Sequence, residues 1–200
     1  MEPPAYSERF DRAVQLTLTA FRPHFRKCSP VPYVTHLFAV CALVGEHGGD
    51  EDQMIAALLH DYLEDIEGSS VDLLEAEFGG RVARMVLALS DTVVRPKPPW
   101  EERKERYLAA LRHKEPEVKL ISAADKLHNC RSIVRDHLRL GDAVFERFRP
   151  AKEQTLWYYR SCVDALAHDW AHRLVIELDL EVARLHEQAG VDLGPLRAVR

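Results

Sequence analysis

The chain has 200 residues, of which 46% are hydrophobic and 30% are charged, and its formal net charge is −5. These values are typical of one globular domain with a sizeable core, and the acidic balance argues against a general nucleic-acid-binding protein. The first ten residues lack the basic and apolar regions of a secretory signal, and the longest apolar run, residues 37–44, is too short to cross a bilayer. The four cysteines form no CxxC pair, which is typical of reduced, buried thiols in a cytoplasmic protein.

Hydrophobic periodicity predicts an all-α protein, a compact multi-helix bundle that forms a single domain over residues 1–200. The first helix is expected at 5–21, and the second at about 33–47, where two glycines end it. A third helix begins after its N-cap Asp50 and ends near Gly68. Further helices are predicted at 71–79, 81–91, 100–113, 116–138, 150–167 and 169–189. Residues 174–182 alternate like a strand, but a helix is preferred because they lie inside a longer uninterrupted run.

An acidic segment, residues 50–67, holds seven carboxylates and no lysine or arginine. Three are at the start of the third predicted helix, where the helix dipole favours negative charge, and four crowd its end, where the dipole disfavours it. Those four are Asp61, Glu64, Asp65 and Glu67. On a helical wheel His60 shares one polar arc with the first three of them. A solvated acidic surface is the simplest interpretation, but a divalent cation would relieve the repulsion, and His with Asp supplies ligands that Mn, Fe or Zn accept.

Two further helices each contain a candidate ligand. His36 is the one ionisable residue within an apolar stretch, and Asp125 enters the apolar face of helix 116–138. Taken singly, His36 is interpreted as a hydrogen-bonded core histidine and Asp125 as half of a buried salt bridge. Taken together, the order His, His-Asp, Asp on three helices favours one metal site. A second His-Asp pair, His168-Asp169, lies on a helix with mixed exposed charge and is interpreted as a surface feature.

Five segments of the chain carry a family resemblance. They are FRKCSPVPYVTH, AALLHDYLEDI, FGGRVARMVLALSD, PWEERKERYLAAL and SAADKLHN. Their joint pattern, over about residues 20–165, resembles the HD superfamily of metal-dependent phosphohydrolases. Within that superfamily it is most similar to the hydrolase domain of the Rel/Spo stringent-response enzymes, and in particular to the small alarmone hydrolases.

The resemblance implies a compact helical HD domain with three groups of site residues. The implied ligands of one cation, usually Mn²⁺ in this family, are His36, His60, Asp61 and Asp125. The implied catalytic acidic pair is Glu64 and Asp65. The implied nucleotide contacts are Arg26, Lys27 and Asn129. Segment 95–119, with eight Lys or Arg against five acids, offers further positive charge, although Arg103 and Lys104 are interpreted as part of a solvated helix face.

The function that the resemblance implies is hydrolysis of the 3′-diphosphate of (p)ppGpp to GDP or GTP and diphosphate. The expected partner is a small-molecule nucleotide, with neither nucleic acid nor membrane involved. Pro23 and His24 replace a Gly-Gln pair that usually precedes the Arg-Lys pair, so the choice between guanine and adenine alarmones stays open. The same residues are also compatible with a nucleoside monophosphatase of this superfamily, with a non-catalytic nucleotide-binding sensor, and with a metal-free helical interaction module.

Overall fold

The computed structural model describes residues 6–92, 96–148 and 151–191, and those ranges contain helices and no β-strand. The all-α prediction is therefore confirmed. The chain forms two compact units, Met1–Val94 and Arg95–Arg200. A single domain over residues 1–200 stays a prediction, and its two ends lie outside the described residues. No helix in the described ranges combines the length and the apolar content needed to cross a membrane.

Six helices lie in the described part of the first unit. They are α1 (Glu8–Ala20), α2 (Val34–Glu46), α3 (Glu51–Leu58), α4 (Tyr62–Asp65), α5 (Val71–Phe78) and α6 (Gly80–Leu89). Helix α3 packs against α1, α2 and α6. Every residue from Ile55 to His60 is buried, so the end of α3 lies in the core of this unit.

Four helices and one 3₁₀ helix lie in the described part of the second unit. They are α7 (Trp100–Leu111), α8 (Pro116–Leu140), the 3₁₀ helix Gly141–Arg147, α9 (Lys152–Leu166) and α10 (Arg173–Gln188). Helix α10 packs against α8 and α9. Its buried residues recur at helical spacing, which is the physical reason that residues 174–182 form a helix rather than a strand. They include Leu174, Leu178, Val182 and Leu185.

The prediction of one continuous third helix is wrong. Helix α3 ends at Leu58, residues 59–61 form a turn, and the short helix α4 follows. The His60 Nδ1 atom lies 2.7 Å from the Ala57 carbonyl oxygen, which a continuing helix would pair with the Asp61 N–H. Helix α3 thus ends where the His60 ring lies against the carbonyl that a further helical turn would use. The helical wheel therefore does not apply beyond residue 58, and Glu64 and Asp65 lie in the first turn of α4 rather than at the end of a long helix.

The three acids at the start of α3 have partners from other helices of the first unit. Arg81 of α6 contacts Asp50 at 2.6 Å, and Arg9 of α1 contacts Asp52 at 2.7 Å. The Ser7 hydroxyl donates a hydrogen bond to Glu51 at 2.6 Å. Tertiary contacts thus compensate the charge that the sequence left unbalanced in this half of the segment.

Replacing Asp50 with alanine should lower the free energy of unfolding. Its carboxylate accepts from the Gln53 N–H while the Gln53 side chain accepts from the Asp50 N–H, which is a complete capping box. Loss of such a cap costs about 0.5–2 kcal/mol, measurable by urea unfolding. Asp72→Ala is a matched control, because Asp72 is an exposed first-turn acid of α5 and Ser70 is the cap there. Equal losses in the two variants would contradict the capping role.

The same cap should show a pH dependence. Burial alone would raise the pKa of Asp50, but hydrogen bonds from Gln53 and Arg81 outweigh this effect, so its pKa lies below the ordinary value. A carboxyl whose pKa is lowered by folding stabilises the native state above the unfolded-state pKa, near 4, and the contribution is lost as the pH falls below it. The difference in unfolding free energy between the wild type and Asp50→Ala should therefore shrink on acidification.

Candidate active site

The first unit brings two buried histidines and one aspartate together. His36 lies on α2 and is 1% exposed, and His60 lies in the turn after α3 and is 4% exposed. Their ring centroids are 5.2 Å apart at an interplanar angle of 74°. The Asp61 Oδ2 atom lies 3.1 Å from His60 Nε2 and 4.0 Å from His36 Nε2. Two imidazole nitrogens and a carboxylate oxygen therefore face one another, and we call these three residues the His-His-Asp cluster.

The tautomer of His60 suits metal binding. Its Nδ1 atom faces the Ala57 carbonyl oxygen, an acceptor, so the ring proton is assigned to Nδ1. This assignment leaves the lone pair on Nε2, the nitrogen that faces Asp61. Metal-binding histidines are commonly oriented in this way by a hydrogen bond from the other ring nitrogen. The donor set of the cluster is one that Mn, Fe and Zn accept, so the cluster could hold a divalent metal.

Tyr33 links the cluster to the loop that carries the predicted nucleotide contacts. Its hydroxyl donates a 2.6 Å hydrogen bond to Asp61 Oδ2, and the Arg26 guanidinium carbon lies 5.6 Å from the centre of its ring. The loop is closed by a backbone hydrogen bond from Arg26 N to the Val31 carbonyl at 2.8 Å. Arg26 is half-buried and Lys27 is exposed. Tyr33 is absent from the site residues predicted by sequence, although its place three residues before His36 was a signal that could have been used.

The predicted acidic pair lies in the first turn of α4. Glu64 is half-buried, and its Oε1 atom accepts the Asp91 N–H at 2.5 Å, just beyond the end of α6. Asp65 is exposed. The backbone of Asp91 thus fixes one oxygen of Glu64, whereas Asp65 extends toward solvent. Asp91 is the last residue of the family segment FGGRVARMVLALSD. Its contact with Glu64 could not be predicted from the sequence.

Asp125 lies on α8 in the second unit and is 8% exposed. Its carboxylate is 2.5 Å from the Lys126 ammonium and accepts a hydrogen bond from the Asn129 side chain. Burial alone would lower the pKa of Lys126, but Asp125 and neighbouring tyrosines hold it well above its usual value. The buried salt bridge that the sequence left open for Asp125 is therefore present, and Asn129 supports the same carboxylate.

A lysine cluster surrounds two buried tyrosines in the second unit. The ammonium groups of Lys104, Lys114 and Lys126 lie 5.8, 4.4 and 5.2 Å from the centre of the Tyr107 ring. Lys104 is also 5.0 Å from the centre of the Tyr158 ring. Lys104 is thus half-buried on aromatic surface, and its interpretation as part of a solvated helix face is wrong. The cluster concentrates positive charge, and such charge attracts phosphate groups.

The second His-Asp pair of the sequence has a structural arrangement of its own. His168 Nδ1 lies 3.1 Å from the Asp169 carboxylate, whose side chain is 89% exposed. The next histidine, His172, accepts the Leu174 N–H through Nδ1 at 3.2 Å and so caps α10. The prediction that His168 and Asp169 lie on a helix is wrong, because residues 167–172 connect α9 to α10.

A family model for the HD domain matches residues 13–151 of the chain. The chain belongs to the HD domain family. This family implies a divalent metal, and the His-His-Asp cluster is a group of residues able to hold one.

Among curated proteins, the chain is similar to the mouse guanosine-3′,5′-bis(diphosphate) 3′-pyrophosphohydrolase MESH1, with 36% identity over 52% of this chain and 57% of that protein. The match thus spans little more than half of that relative. A probable GTP pyrophosphokinase from Mycobacterium leprae is 36% identical over 84% of this chain and 20% of its own length. A solved structure, described as a metazoan ortholog of SpoT that hydrolyses ppGpp, aligns with 96% of this chain and 100% of its own, with a TM-score of 0.74 and 26% identity.

Proposed function

We propose that this HD protein hydrolyses guanosine alarmones, releasing the 3′-diphosphate of (p)ppGpp and leaving GDP or GTP. The observation that carries the proposal is the His-His-Asp cluster. In it, the Nε2 atoms of His60 and His36 lie 3.1 and 4.0 Å from Asp61 Oδ2. The similarity to MESH1 and to the ppGpp-hydrolysing SpoT ortholog supports the choice of substrate. The cytoplasmic location and the absence of nucleic-acid and membrane partners stay predictions.

We propose Mn²⁺ as the cation and Asp125 as the residue that joins His36, His60 and Asp61 in holding it. Each of His36, His60 and Asp125 is buried and offers one ligand atom. A divalent cation bound there would lower the pKa of a water molecule and neutralise charge on the phosphoryl oxygens. Lys126 and Asn129 orient the Asp125 carboxylate, as the neighbours of metal-binding carboxylates commonly do.

Glu64 is the proposed general base for the attacking water, and Asp65 follows it in sequence. The Asp91 N–H holds Glu64 Oε1 and thereby sets the orientation of the carboxylate. A carboxylate held in this way can accept the proton of an attacking water and pass it to solvent. We assign receipt of that proton to Asp65, whose side chain is exposed. This division of roles assigns proton uptake to Glu64 and proton release to Asp65.

Arg26, Lys27 and Asn129 are proposed to bind the nucleotide. The planar guanidinium of Arg26 is suited to stacking on a base or to bidentate contact with a phosphate, and exposed Lys27 extends the same loop. A substrate that carries several phosphates needs more cations than the acidic chain offers on average. Within the second unit, the lysine cluster concentrates positive charge of this kind.

The decisive experiment is a Mn²⁺-supplemented assay with product analysis across guanosine and adenosine tetraphosphates, with nucleoside monophosphates as controls. The expected products from ppGpp are GDP and diphosphate. Inorganic phosphate released from a monophosphate would favour a monophosphatase, and faster turnover of the adenosine compound would change the assigned base. Tight nucleotide binding without turnover would favour the sensor, and metal-free protein by elemental analysis would favour the interaction module.

Replacing Asp125 with alanine should weaken both Mn²⁺ binding and the stability of the fold. The metal would lose a ligand, and the buried ammonium of Lys126 would lose its carboxylate partner. Breaking one half of a buried pair commonly costs about 3–5 kcal/mol of unfolding free energy. The double variant Asp125→Ala, Lys126→Met should recover stability in urea unfolding without recovering Mn²⁺ binding by calorimetry. Recovery of both would remove Asp125 from the ligand set.

A further inference from the structure

We propose that Tyr33 is a positioning residue that presents Asp61 to the metal and supports the nucleotide-binding loop, so that metal binding and nucleotide binding depend on one side chain. The proposal deepens the proposed function and rests on it for the nucleotide. Its starting point is the 2.6 Å hydrogen bond from the Tyr33 hydroxyl to Asp61 Oδ2. Tyr33 belongs to none of the residue groups that the family resemblance implied.

The hydroxyl of Tyr33 donates its hydrogen bond to the Asp61 oxygen that faces the two histidines. Oδ2 of Asp61 is the atom 3.1 Å from His60 Nε2 and 4.0 Å from His36 Nε2. An ionised carboxylate oxygen has two lone-pair sites, so it can accept the tyrosine hydrogen bond and still coordinate a cation. The hydrogen bond therefore fixes the rotamer of Asp61 in which this oxygen faces both imidazoles. Holding a ligand in its binding orientation before the cation arrives lowers the cost of ordering it on binding.

The ring of Tyr33 has a separate task. It stacks on Phe21 at a centroid distance of 5.6 Å and an angle of 20°, and it meets the His36 ring edge-on at 5.6 Å. These contacts hold the ring in place. A further contact of the ring is with the Arg26 guanidinium, 5.6 Å from the ring centre. A cation over an aromatic face is attracted by the ring quadrupole, so the ring orients Arg26 at the loop.

The two tasks can be separated by substitution, because phenylalanine keeps the ring and removes only the hydroxyl. We expect Tyr33→Phe to weaken Mn²⁺ binding by about 10–100-fold in calorimetric titration, as loss of a partner of a metal ligand commonly does. GDP binding to metal-free protein should stay within about twofold, since Arg26 keeps its aromatic support. Tyr33→Leu should weaken both, because it removes the ring as well.

Tyr6→Phe is the matched control, since Tyr6 is 51% exposed and its ring contacts Phe10. That variant should bind Mn²⁺ and GDP like the wild type. The melting temperature of metal-free Tyr33→Phe should stay within about 4 °C of the wild type, which corresponds to about 1 kcal/mol in a protein of this size. A wild-type Mn²⁺ affinity in Tyr33→Phe would overturn the role of the hydroxyl, and unchanged GDP affinity in Tyr33→Leu would overturn the role of the ring.

A failure of the positioning role of Tyr33 can be distinguished from a failure of the proposed alarmone hydrolysis. Mn²⁺ affinity is measured without any substrate, so it reports on Tyr33 and Asp61 whether or not ppGpp is cleaved. If the wild type fails to hydrolyse alarmones while Tyr33→Phe still loses Mn²⁺ affinity, the positioning role stands and the substrate assignment falls. If ppGpp is hydrolysed normally and Tyr33→Phe binds Mn²⁺ like the wild type, the function stands and the positioning role falls.

Discussion

Replacing Asp61 with alanine is expected to abolish both metal binding and hydrolysis. Its Oδ2 atom faces both histidines of the His-His-Asp cluster, and it is the charged member of that cluster. Loss of the cation would remove several kcal/mol of stabilisation from the charge that develops on the phosphoryl oxygens, which corresponds to about 10³-fold or more in turnover. The measurements are Mn²⁺ titration by calorimetry and ppGpp turnover with saturating Mn²⁺.

Two companion variants make the Asp61 result specific. Asp61→Asn keeps the shape and removes the charge, so a similar loss there would assign the effect to the ligand charge rather than to packing. Glu67→Ala removes an exposed carboxylate six residues further along the chain and should leave both properties at wild-type values. An Asp61→Ala protein with normal Mn²⁺ content and normal turnover would end the metal assignment.

Replacing Glu64 with glutamine is expected to separate catalysis from metal binding. Glutamine has nearly the shape of glutamate, and its side-chain oxygen can still accept the Asp91 N–H that holds Oε1. It cannot take up a proton from water at neutral pH, so we expect kcat to fall by about 10²–10⁴-fold, the usual contribution of general base catalysis. Mn²⁺ affinity should change little, since Glu64 is not among the proposed ligands.

Glu67→Gln is the matched control for Glu64, because it makes the same chemical change at an exposed position just beyond α4. The comparison should be made with single-turnover kinetics, which separate the chemical step from product release. A wild-type kcat in Glu64→Gln would remove Glu64 from catalysis and leave Asp65 as the candidate base. A loss of Mn²⁺ binding equal to that of Asp61→Ala would instead make Glu64 a ligand.

Much of the local structure could be predicted from the sequence, because it depends on neighbouring residues. Asp50 forms a capping box with Gln53, three residues away, and Ser70 caps α5 through the Leu73 N–H. The helix preferred over a strand for residues 174–182, because they lie inside a longer uninterrupted run, is also confirmed. The chemical types of the candidate ligands could be read directly, since His36 and Asp125 are ionisable residues in apolar stretches.

Only the tertiary structure decided how the acidic segment is divided. The first three acids pair with Ser7, Arg9 and Arg81, which are distant in sequence and could not be assigned by periodicity. At the break after Leu58, the His60 ring lies within hydrogen-bonding distance of the Ala57 carbonyl oxygen. A helical wheel assumes one continuous ideal helix, so the prediction extended the helix past Leu58, where α3 ends.

The sequence by itself determined the all-α class, most helix positions and the residue types able to bind a metal, because these follow from short-range spacing and side-chain chemistry. The tertiary structure decided which groups meet: Tyr33 with Asp61, Glu64 with the Asp91 backbone, and Lys126 with Asp125. It also placed Lys104 on buried tyrosine rings instead of in solvent. Such contacts depend on side-chain direction and on the packing of whole helices, which no local pattern in the sequence records.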